Sequence, residues 1–248
     1  MSRAGLLHHS CLAAALALGA GSAVAAPAAC NATSGVVVPT VVELYTSEGC
    51  NSCPPADQWL SSLKGQPGVV SLAFHVDYWD RLGWKDRFAD PAYTRRQHEV
   101  SQRAGARFVY TPQVIVDGQD YRAWPALPHA APKPATVQIG LRQEADAYVA
   151  KVVRGPGAPM RLAAYWVLTE DGQVSDVKAG ENAGVTLHHD AVVRDYQPVA
   201  SVGEEPLRYV PRRSAGASAD ARVQLIVTDA NSGRPVQAVA CARPISSP

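Results

Sequence analysis

The sequence predicts an α/β domain followed by a module of antiparallel β-strands. The first observation is a β-branched run over 41–45, a Cys-x-x-Cys turn, a helical pattern and a second apolar run over 69–76. A strand, a helix and a strand at this spacing form a parallel unit with a right-handed crossover. The second observation is that short β-branched runs separated by Gly, Asp and Asn turns fill the chain after residue 135, without a helical period. We therefore expect an α/β domain over 35–130 and a β-rich, sandwich-like domain over 135–248.

The first residues have the composition of a secretory signal. Arg3 supplies a positive charge, an Ala-rich apolar stretch follows, and Ala23-Val24-Ala25 is a small-x-small cleavage site. We expect residues 1–25 to be removed, which places the protein in the periplasm or makes it a secreted bacterial protein. No later stretch approaches the roughly 18 apolar residues of a membrane-spanning helix, so no span is expected after cleavage.

The charge balance excludes a partner that needs a strongly charged surface. Lys and Arg number 23 and Asp and Glu number 22, so loss of Arg3 leaves the mature chain close to neutral. No long acidic or basic run is present, and nucleic acid is therefore not an expected partner. With 47% hydrophobic and 18% charged residues, the composition is typical of a globular protein with a buried core.

The Cys50-Asn51-Ser52-Cys53 sequence lies where the first strand meets the first helix. After Pro54-Pro55, which suit a first helical turn, apolar residues recur at the spacing of one buried helix face. The partial positive charge at the helix N-terminus favours the thiolate of Cys50. A Cys-x-x-Cys pair in this strand–helix context is typical of a redox-active pair. The two-residue spacer lets Cys53 attack a mixed disulfide formed at Cys50.

A loop rich in aromatic residues follows the second strand over 77–86 and contains Trp79 and Trp84. Loops at the carboxyl ends of strands often carry functional residues. Large aromatic side chains in this position would equally well cover the rim of the core. Both interpretations stay open, and we take Trp79 as a candidate substrate contact.

A second helix is predicted from Asp90-Pro91, an N-cap followed by proline, to about Ala104. We expect Arg95, Arg96 and Arg103 to form its solvated face. Thr111-Pro112 then enters an alternating apolar strand that ends in an Asp-Gly hairpin turn.

Two cysteines remain near the ends of the mature chain, Cys30 and Cys241. An exported protein meets an oxidising compartment, and chain termini often lie close together. We predict a structural disulfide between them, with two independent thiols as the alternative. Closing so long a loop would contribute roughly 4 kcal/mol in the chain-entropy model.

Two stretches resemble the thioredoxin-like superfamily, and in particular its glutaredoxin branch. They are Val-Glu-Leu-Tyr-Thr before the cysteine turn and Thr-Pro-Gln-Val-Ile-Val-Asp-Gly over 111–118. In addition, Tyr-Thr-Ser-Glu-Gly-Cys-Asn-Ser-Cys-Pro-Pro-Ala-Asp over 45–57 resembles the opening motif of a family of exported bacterial proteins. That family is known only as a domain of unknown function with a thioredoxin-like fold. Further matches to it lie at 73–80, 82–86 and 180–184.

The superfamily resemblance implies roles for individual residues. Cys50 would be the attacking thiolate, Cys53 the resolving thiol, and Thr111-Pro112, joined by a cis bond, the backbone along which a substrate chain lies. The chain departs from the superfamily at Leu44, where thioredoxin keeps a buried acid six residues before its first cysteine. The resemblance therefore supplies no acid that relays a proton to the resolving thiol.

We expect a periplasmic or secreted thiol–disulfide oxidoreductase that acts on protein thiols or disulfides, or on a small thiol, with no cofactor and no metal. Two alternatives stay open. In the first, the Cys50–Cys53 disulfide is static and the chain is a non-catalytic envelope binding module. In the second, the two thiolates and a histidine such as His75, or the His188-His189 pair, bind Cu(I), which prefers soft ligands.

Overall fold

The structure is a computed structural model that describes residues 1, 30–128, 131–212 and 221–242. Apart from residue 1, the predicted signal over 1–25 lies outside these residues. Within the described ranges, no helix is long and apolar enough to cross a membrane.

The described residues form fourteen strands, two α-helices and one short 3₁₀ helix. In chain order they are β1 (Asn31–Thr33), β2 (Thr40–Thr46), α1 (Pro54–Ser62), β3 (Val69–His75), η1 (Asp80–Leu82), α2 (Pro91–Arg103), β4 (Gln113–Val116), β5 (Gln119–Asp120), β6 (Val137–Glu144), β7 (Ala147–Arg154), β8 (Leu162–Glu170), β9 (Gln173–Asp176), β10 (Thr186–His189), β11 (Val192–Val199), β12 (Leu207–Tyr209), β13 (Arg222–Asp229) and β14 (Pro235–Ala242).

Eight strands form one sheet in the order β14-β13-β8-β11-β3-β2-β4-β5. β2 and β3 are parallel, as the strand–helix–strand pattern predicts, and β4 runs antiparallel to β2. β11 pairs in parallel with β3 at Val192 and Ala73 and antiparallel with β8 along most of its length. A second sheet has the order β1-β6-β7-β12, and β9 and β10 form a separate hairpin.

The predicted fold class is wrong. A thioredoxin-like α/β domain followed by a sandwich-like module would give the strands after residue 135 a sheet of their own. Instead, β8, β11, β13 and β14 continue the sheet that contains β2 and β3. The part of the chain that the structure describes is mostly strand, with only two α-helices, and so is not a helix-containing thioredoxin fold. Strand periodicity predicted the separate strands but carries no information on which of them pair.

The two faces of the large sheet are covered differently. On one face, α2 packs over aromatic residues that include Phe74 and Tyr165. On the other face, α1 covers the end that contains β2, β3 and β4. The four-stranded sheet covers the rest of that face, where Trp166 stacks on Tyr209 with ring centroids 5.3 Å apart. Both faces of the large sheet are covered at β8, and the side chains on either face of this strand are therefore buried.

A disulfide between Cys30 and Cys241 connects the start of the four-stranded sheet to β14 of the large sheet, with a Cα–Cα distance of 5.8 Å. The bonded residues are 211 positions apart in the chain. The predicted pairing of these two cysteines is thus present in the structure, and it fastens the two ends of the described chain together.

A buried ion pair connects α2 to the large sheet. Arg96 Nη2 lies 2.5 Å from Glu43 Oε1, and the hydroxyls of Tyr45 and Tyr165 donate to the same carboxylate at 2.9 and 2.6 Å. The guanidinium carbon of Arg96 lies 4.0 Å from the ring centroid of Tyr165. The expectation that Arg96 lies on the solvated face of α2 is therefore wrong, whereas Arg95 is exposed.

Replacing Arg96 with methionine should destabilise the fold by about 3–5 kcal/mol, because it leaves the Glu43 carboxylate buried without a cation. The matched control is Arg95→Met on the exposed face of the same helix turn, for which we expect a change within about 0.5 kcal/mol. Urea unfolding of both variants measures the difference, and equal losses would contradict a structural role for the buried pair.

Candidate functional site

The Cys50–Cys53 disulfide lies between the end of β2 and the start of α1, with the two Cα atoms 5.5 Å apart. Cys53 is the N-cap of α1, and prolines occupy the first two helical positions, where no N–H partner is needed. Both cysteines have no exposed surface, whereas Asn51 and Ser52 between them are exposed. The disulfide therefore lies directly beneath a two-residue turn.

Trp79 connects this turn to the strand that begins after Pro112. Its Nε1–H donates to Thr111 Oγ1 at 2.8 Å. A Cβ placed on Gly49 would lie 3.0 Å from the Cβ of Trp79, so only glycine fits beside the indole without a shift. The Thr111–Pro112 bond is cis, as predicted. The structure thus brings Trp79 and Thr111 together beside the cysteine turn, and the tryptophan is held by a hydrogen bond.

The turn between β9 and β10, which belongs to the second half of the chain, contacts the cysteine turn. The side-chain amide of Asn182 donates to the carbonyls of Glu48 and Cys50, at 2.8 and 3.0 Å. The carboxylate of Glu181 accepts the backbone N–H of Asn51 at 3.1 Å. Asn182 is buried, so its two hydrogen bonds fix the backbone on either side of Gly49 in a space that water does not reach.

Three buried ionisable side chains converge where the cysteine turn meets α1. His189 Nε2 lies 3.7 Å from Glu48 Oε1, and His189 Nδ1 lies 3.9 Å from Asp57 Oδ1. Trp84 Nε1–H donates to Glu48 at 2.6 Å, and the Thr46 hydroxyl donates to Asp57 at 3.0 Å. Glu48 comes from the cysteine turn, Asp57 from α1 and His189 from the end of β10. We call Glu48, Asp57 and His189 the buried charge cluster.

The interactions within the buried charge cluster shift the pKa values of His189 and Glu48. Burial alone would lower the pKa of His189, but Asp57 and Glu48 outweigh it and raise the pKa to about 9. The ring is therefore an imidazolium at neutral pH. Burial opposes ionisation of Glu48, yet the interactions with His189, Ser175 and Trp84 hold its pKa below the usual range.

A second buried pair lies next to the cluster. His75 Nδ1 is 2.7 Å from Asp86 Oδ2, and the same carboxylate accepts the backbone N–H of Glu48 at 2.9 Å. The rings of His75 and His189 meet edge to face, with centroids 4.9 Å apart. His75 is thus engaged with Asp86. Among the residues that the structure describes, no group of three or more His, Cys, Asp or Glu side chains could hold a metal ion.

The family model described as Protein of unknown function (DUF1223) matches residues 41–228, a range that contains the cysteine turn, Trp79, the 180–184 turn and His189. The chain belongs to this family. The predicted resemblance to a family of unknown function is thereby confirmed. The match does not extend to the thioredoxin-like superfamily, for which the comparisons give no support.

Two solved structures resemble this member of the DUF1223 family. Protein AGR_C_4864 of Agrobacterium tumefaciens is 27% identical, with 86% of this chain and 97% of that chain covered and a TM-score of 0.60. HBP35 of Porphyromonas gingivalis is 13% identical, with 87% and 79% covered and a TM-score of 0.56, and this likeness shows the fold alone. None of the curated proteins matches the chain.

The sequence patterns assign no role to Asp57, Glu181 or Asn182, and they indicate His189 only as a candidate copper ligand. The spacing of Asp57, four residues after Cys53, was the available signal, because residues i and i+4 share a helix face. Glu181 and Asn182 lie within the 180–184 match to the family. No sequence signal shows that this turn reaches the cysteines, since the contact depends on how the sheet assembles.

Replacing His189 with glutamine should remove a pH-dependent part of the stability. The pKa of His189 is about 9 in the folded chain and about 6.5 in an unfolded chain. Its contribution, on the order of 3 kcal/mol, is therefore fully present below about pH 6.5 and is lost as the pH rises through about 9. The free energy of unfolding should fall over this window more steeply in the unmodified protein than in His189→Gln.

The matched control is His188→Gln, which changes the exposed neighbour of His189. It should retain the pH dependence of the unmodified protein in urea unfolding measured at both ends of the window. Parallel pH dependences for the unmodified protein and His189→Gln would contradict the assignment of a buried imidazolium.

Proposed function

We propose that the chain is a periplasmic or secreted thiol–disulfide oxidoreductase whose working pair is Cys50 and Cys53. The observation that carries the proposal is the buried charge cluster where the cysteine turn meets α1. A static disulfide gains nothing from three buried ionisable side chains, which lose hydration when they are taken out of water. Ionisable groups in such environments are concentrated at functional sites, where protons and nucleophiles must be controlled.

The position of the disulfide also supports this function. Cys53 caps α1, and the partial positive charge of a helix N-terminus stabilises a thiolate that forms there. The neighbouring Trp79 and Thr111 supply a half-buried surface beside the turn. Protein thiols, protein disulfides or a small thiol are the substrates that this chemistry accepts, and the reaction needs no cofactor.

In the oxidising direction, a substrate thiolate attacks Cys50 Sγ. The Cys50–Cys53 bond breaks, a mixed disulfide forms at Cys50, and Cys53 leaves as a thiolate. A second substrate thiolate then attacks the substrate sulfur of the mixed disulfide and releases Cys50. The substrate loses two electrons and becomes a disulfide, while the protein gains two electrons and ends with two cysteines that take up protons. The reducing direction is the reverse of these steps.

Access to Cys50 requires movement, because both sulfurs are fully buried. Asn51 and Ser52 are exposed, and the backbone N–H of Asn51 is tied to Glu181. The attack thus requires release of this contact and of the hydrogen bonds from Asn182 to the carbonyls of Glu48 and Cys50.

A pair of matched serine variants tests the proposal. Incubated with oxidised glutathione, Cys53→Ser should accumulate one glutathione per chain as a mixed disulfide at Cys50, because no resolving thiol remains to release it. Cys50→Ser should remain largely unmodified, and it should lose catalysis of thiol–disulfide exchange with a model disulfide. Intact mass and peptide mapping measure the adduct and its position.

Equal modification of the two variants, or exchange activity that survives in Cys50→Ser, would contradict the proposal. Complete burial of both sulfurs is the observation that favours the alternative, a non-catalytic envelope binding module with a static disulfide. That alternative predicts no adduct on either variant while the protein stays folded.

A further inference from the structure

Closure of the disulfide requires a group that takes a proton from Cys53. When a substrate is bound to Cys50 as a mixed disulfide, Cys53 is a thiol, and only the thiolate attacks efficiently. Cys53 is fully buried, so bulk water does not reach its sulfur in the closed structure. The proton acceptor must therefore be another side chain of the fold.

We propose that Asp57 accepts the proton of the Cys53 thiol. The inference rests on the proposed function and deepens it, since it concerns the resolving step at the same cysteine pair. It assigns to the buried charge cluster a chemical role in exchange rather than a purely structural one.

The helix places Asp57 beside Cys53. The backbone N–H of Asp57 donates to the carbonyl of Cys53 at 3.1 Å, which closes the first turn of α1. Side chains four residues apart on a helix lie on the same face, with Cβ atoms roughly 5–6 Å apart. Asp57 is 6% exposed and Cys53 is 0% exposed, so both side chains are buried.

The contacts of Asp57 leave one carboxylate oxygen for this role. Oδ2 accepts the Thr46 hydroxyl at 3.0 Å. Oδ1 faces His189 Nδ1 at 3.9 Å, which is too long for a hydrogen bond but close enough for a strong charge interaction. Neither ring nitrogen of His189 has a hydrogen-bond partner. His189 thus lies close to Oδ1 without a hydrogen bond to it.

The charged and titratable groups around the cluster come from every element packed against it. Asp86 and His75 lie on one side, and the guanidinium groups of Arg87 and Arg194 lie over the Phe88 ring, whose centroid is 5.8 Å from that of His189. Glu48 faces His189 opposite Asp57. His189 is already protonated at neutral pH, and Asp57 is the carboxylate on the helix turn that begins at Cys53.

Resolution begins with a proton transfer. The proton moves from Cys53 Sγ to Asp57 Oδ1, and the Cys53 thiolate attacks Cys50 Sγ. The Cys50–Cys53 bond forms, and the bond between Cys50 and the substrate sulfur breaks. The substrate leaves as a thiolate with the electron pair of that bond. Asp57 then returns the proton to the departing thiolate or to water.

Stopped-flow reaction of the full chain with 5,5′-dithiobis(2-nitrobenzoate) separates attack from resolution. The protein is first reduced at Cys50 and Cys53 only, as verified by mass. Attack by Cys50 releases the first thionitrobenzoate, and resolution by Cys53 releases the second. In the unmodified protein the second release should change little across neutral pH, because the proton has an internal acceptor.

In Asp57→Asn, which keeps the shape and the acceptor for the Thr46 hydroxyl, the second release should slow by about 100-fold near neutral pH. The difference should shrink as the pH rises, because hydroxide then deprotonates Cys53 directly. Asp57→Glu should recover part of the rate. The matched control is Asp176→Asn, an exposed carboxylate that also accepts a threonine hydroxyl, from Thr186 at 2.6 Å, and both releases should be unchanged.

The outcomes distinguish the two proposals. Absence of the first release in the unmodified protein would overturn the proposed function. A normal first release, with a second release that Asp57→Asn does not slow or slows equally at every pH, would overturn the role of Asp57 alone. If Asp57→Asn does not fold, the pH profile of the unmodified protein decides, because a second release proportional to hydroxide concentration would exclude an internal proton acceptor.

Discussion

The pairing of β3 with β11 is the contact on which the rest of the structure depends. It is short, with Val192 opposite Ala73 and the N–H of Ala73 donating to the carbonyl of Ala191 at 2.8 Å. Through it, the strands of the second half of the chain join the sheet of the first half. It also places β10, which ends at His189 just before β11, beside α1 and the cysteine turn. Without this contact the site would lack its imidazolium and its covering turn.

The site concentrates charge where the fold excludes water. Glu48, Asp57 and Asp86 are buried acids, and the imidazole rings of His189 and His75 face them. A buried charge is tolerated only when it is paired, and each acid also accepts a hydrogen bond from a neighbouring donor. The same arrangement lowers the pKa of Asp86, since His75 and backbone N–H groups outweigh burial. The network depends on the β9–β10 hairpin, because that hairpin supplies His189.

Local sequence patterns predicted the elements around the cysteine turn, but not the assembly of the sheet. α2 begins after the Asp90 N-cap and ends at Arg103, as capping and glycine signals indicate, and the strands β2 and β3 are parallel. The fold class could not be predicted because strand periodicity gives neither partners nor sheet order. Helix periodicity likewise did not show that Arg96 is buried, since its counter-ion lies on a strand far away in the chain. The role of His189 depends on the β3–β11 contact and was therefore beyond any local pattern.

The reduction potential of the Cys50–Cys53 pair tests the central claim most directly. It is measured by thiol trapping and mass analysis of the folded protein across a series of glutathione redox buffers, with the Cys30–Cys241 bond followed separately. A working pair should be reduced reversibly at a potential well above about −300 mV, within the range that cellular thiols reach. A potential below about −300 mV, or reduction only on unfolding, would contradict the claim and identify the disulfide as static.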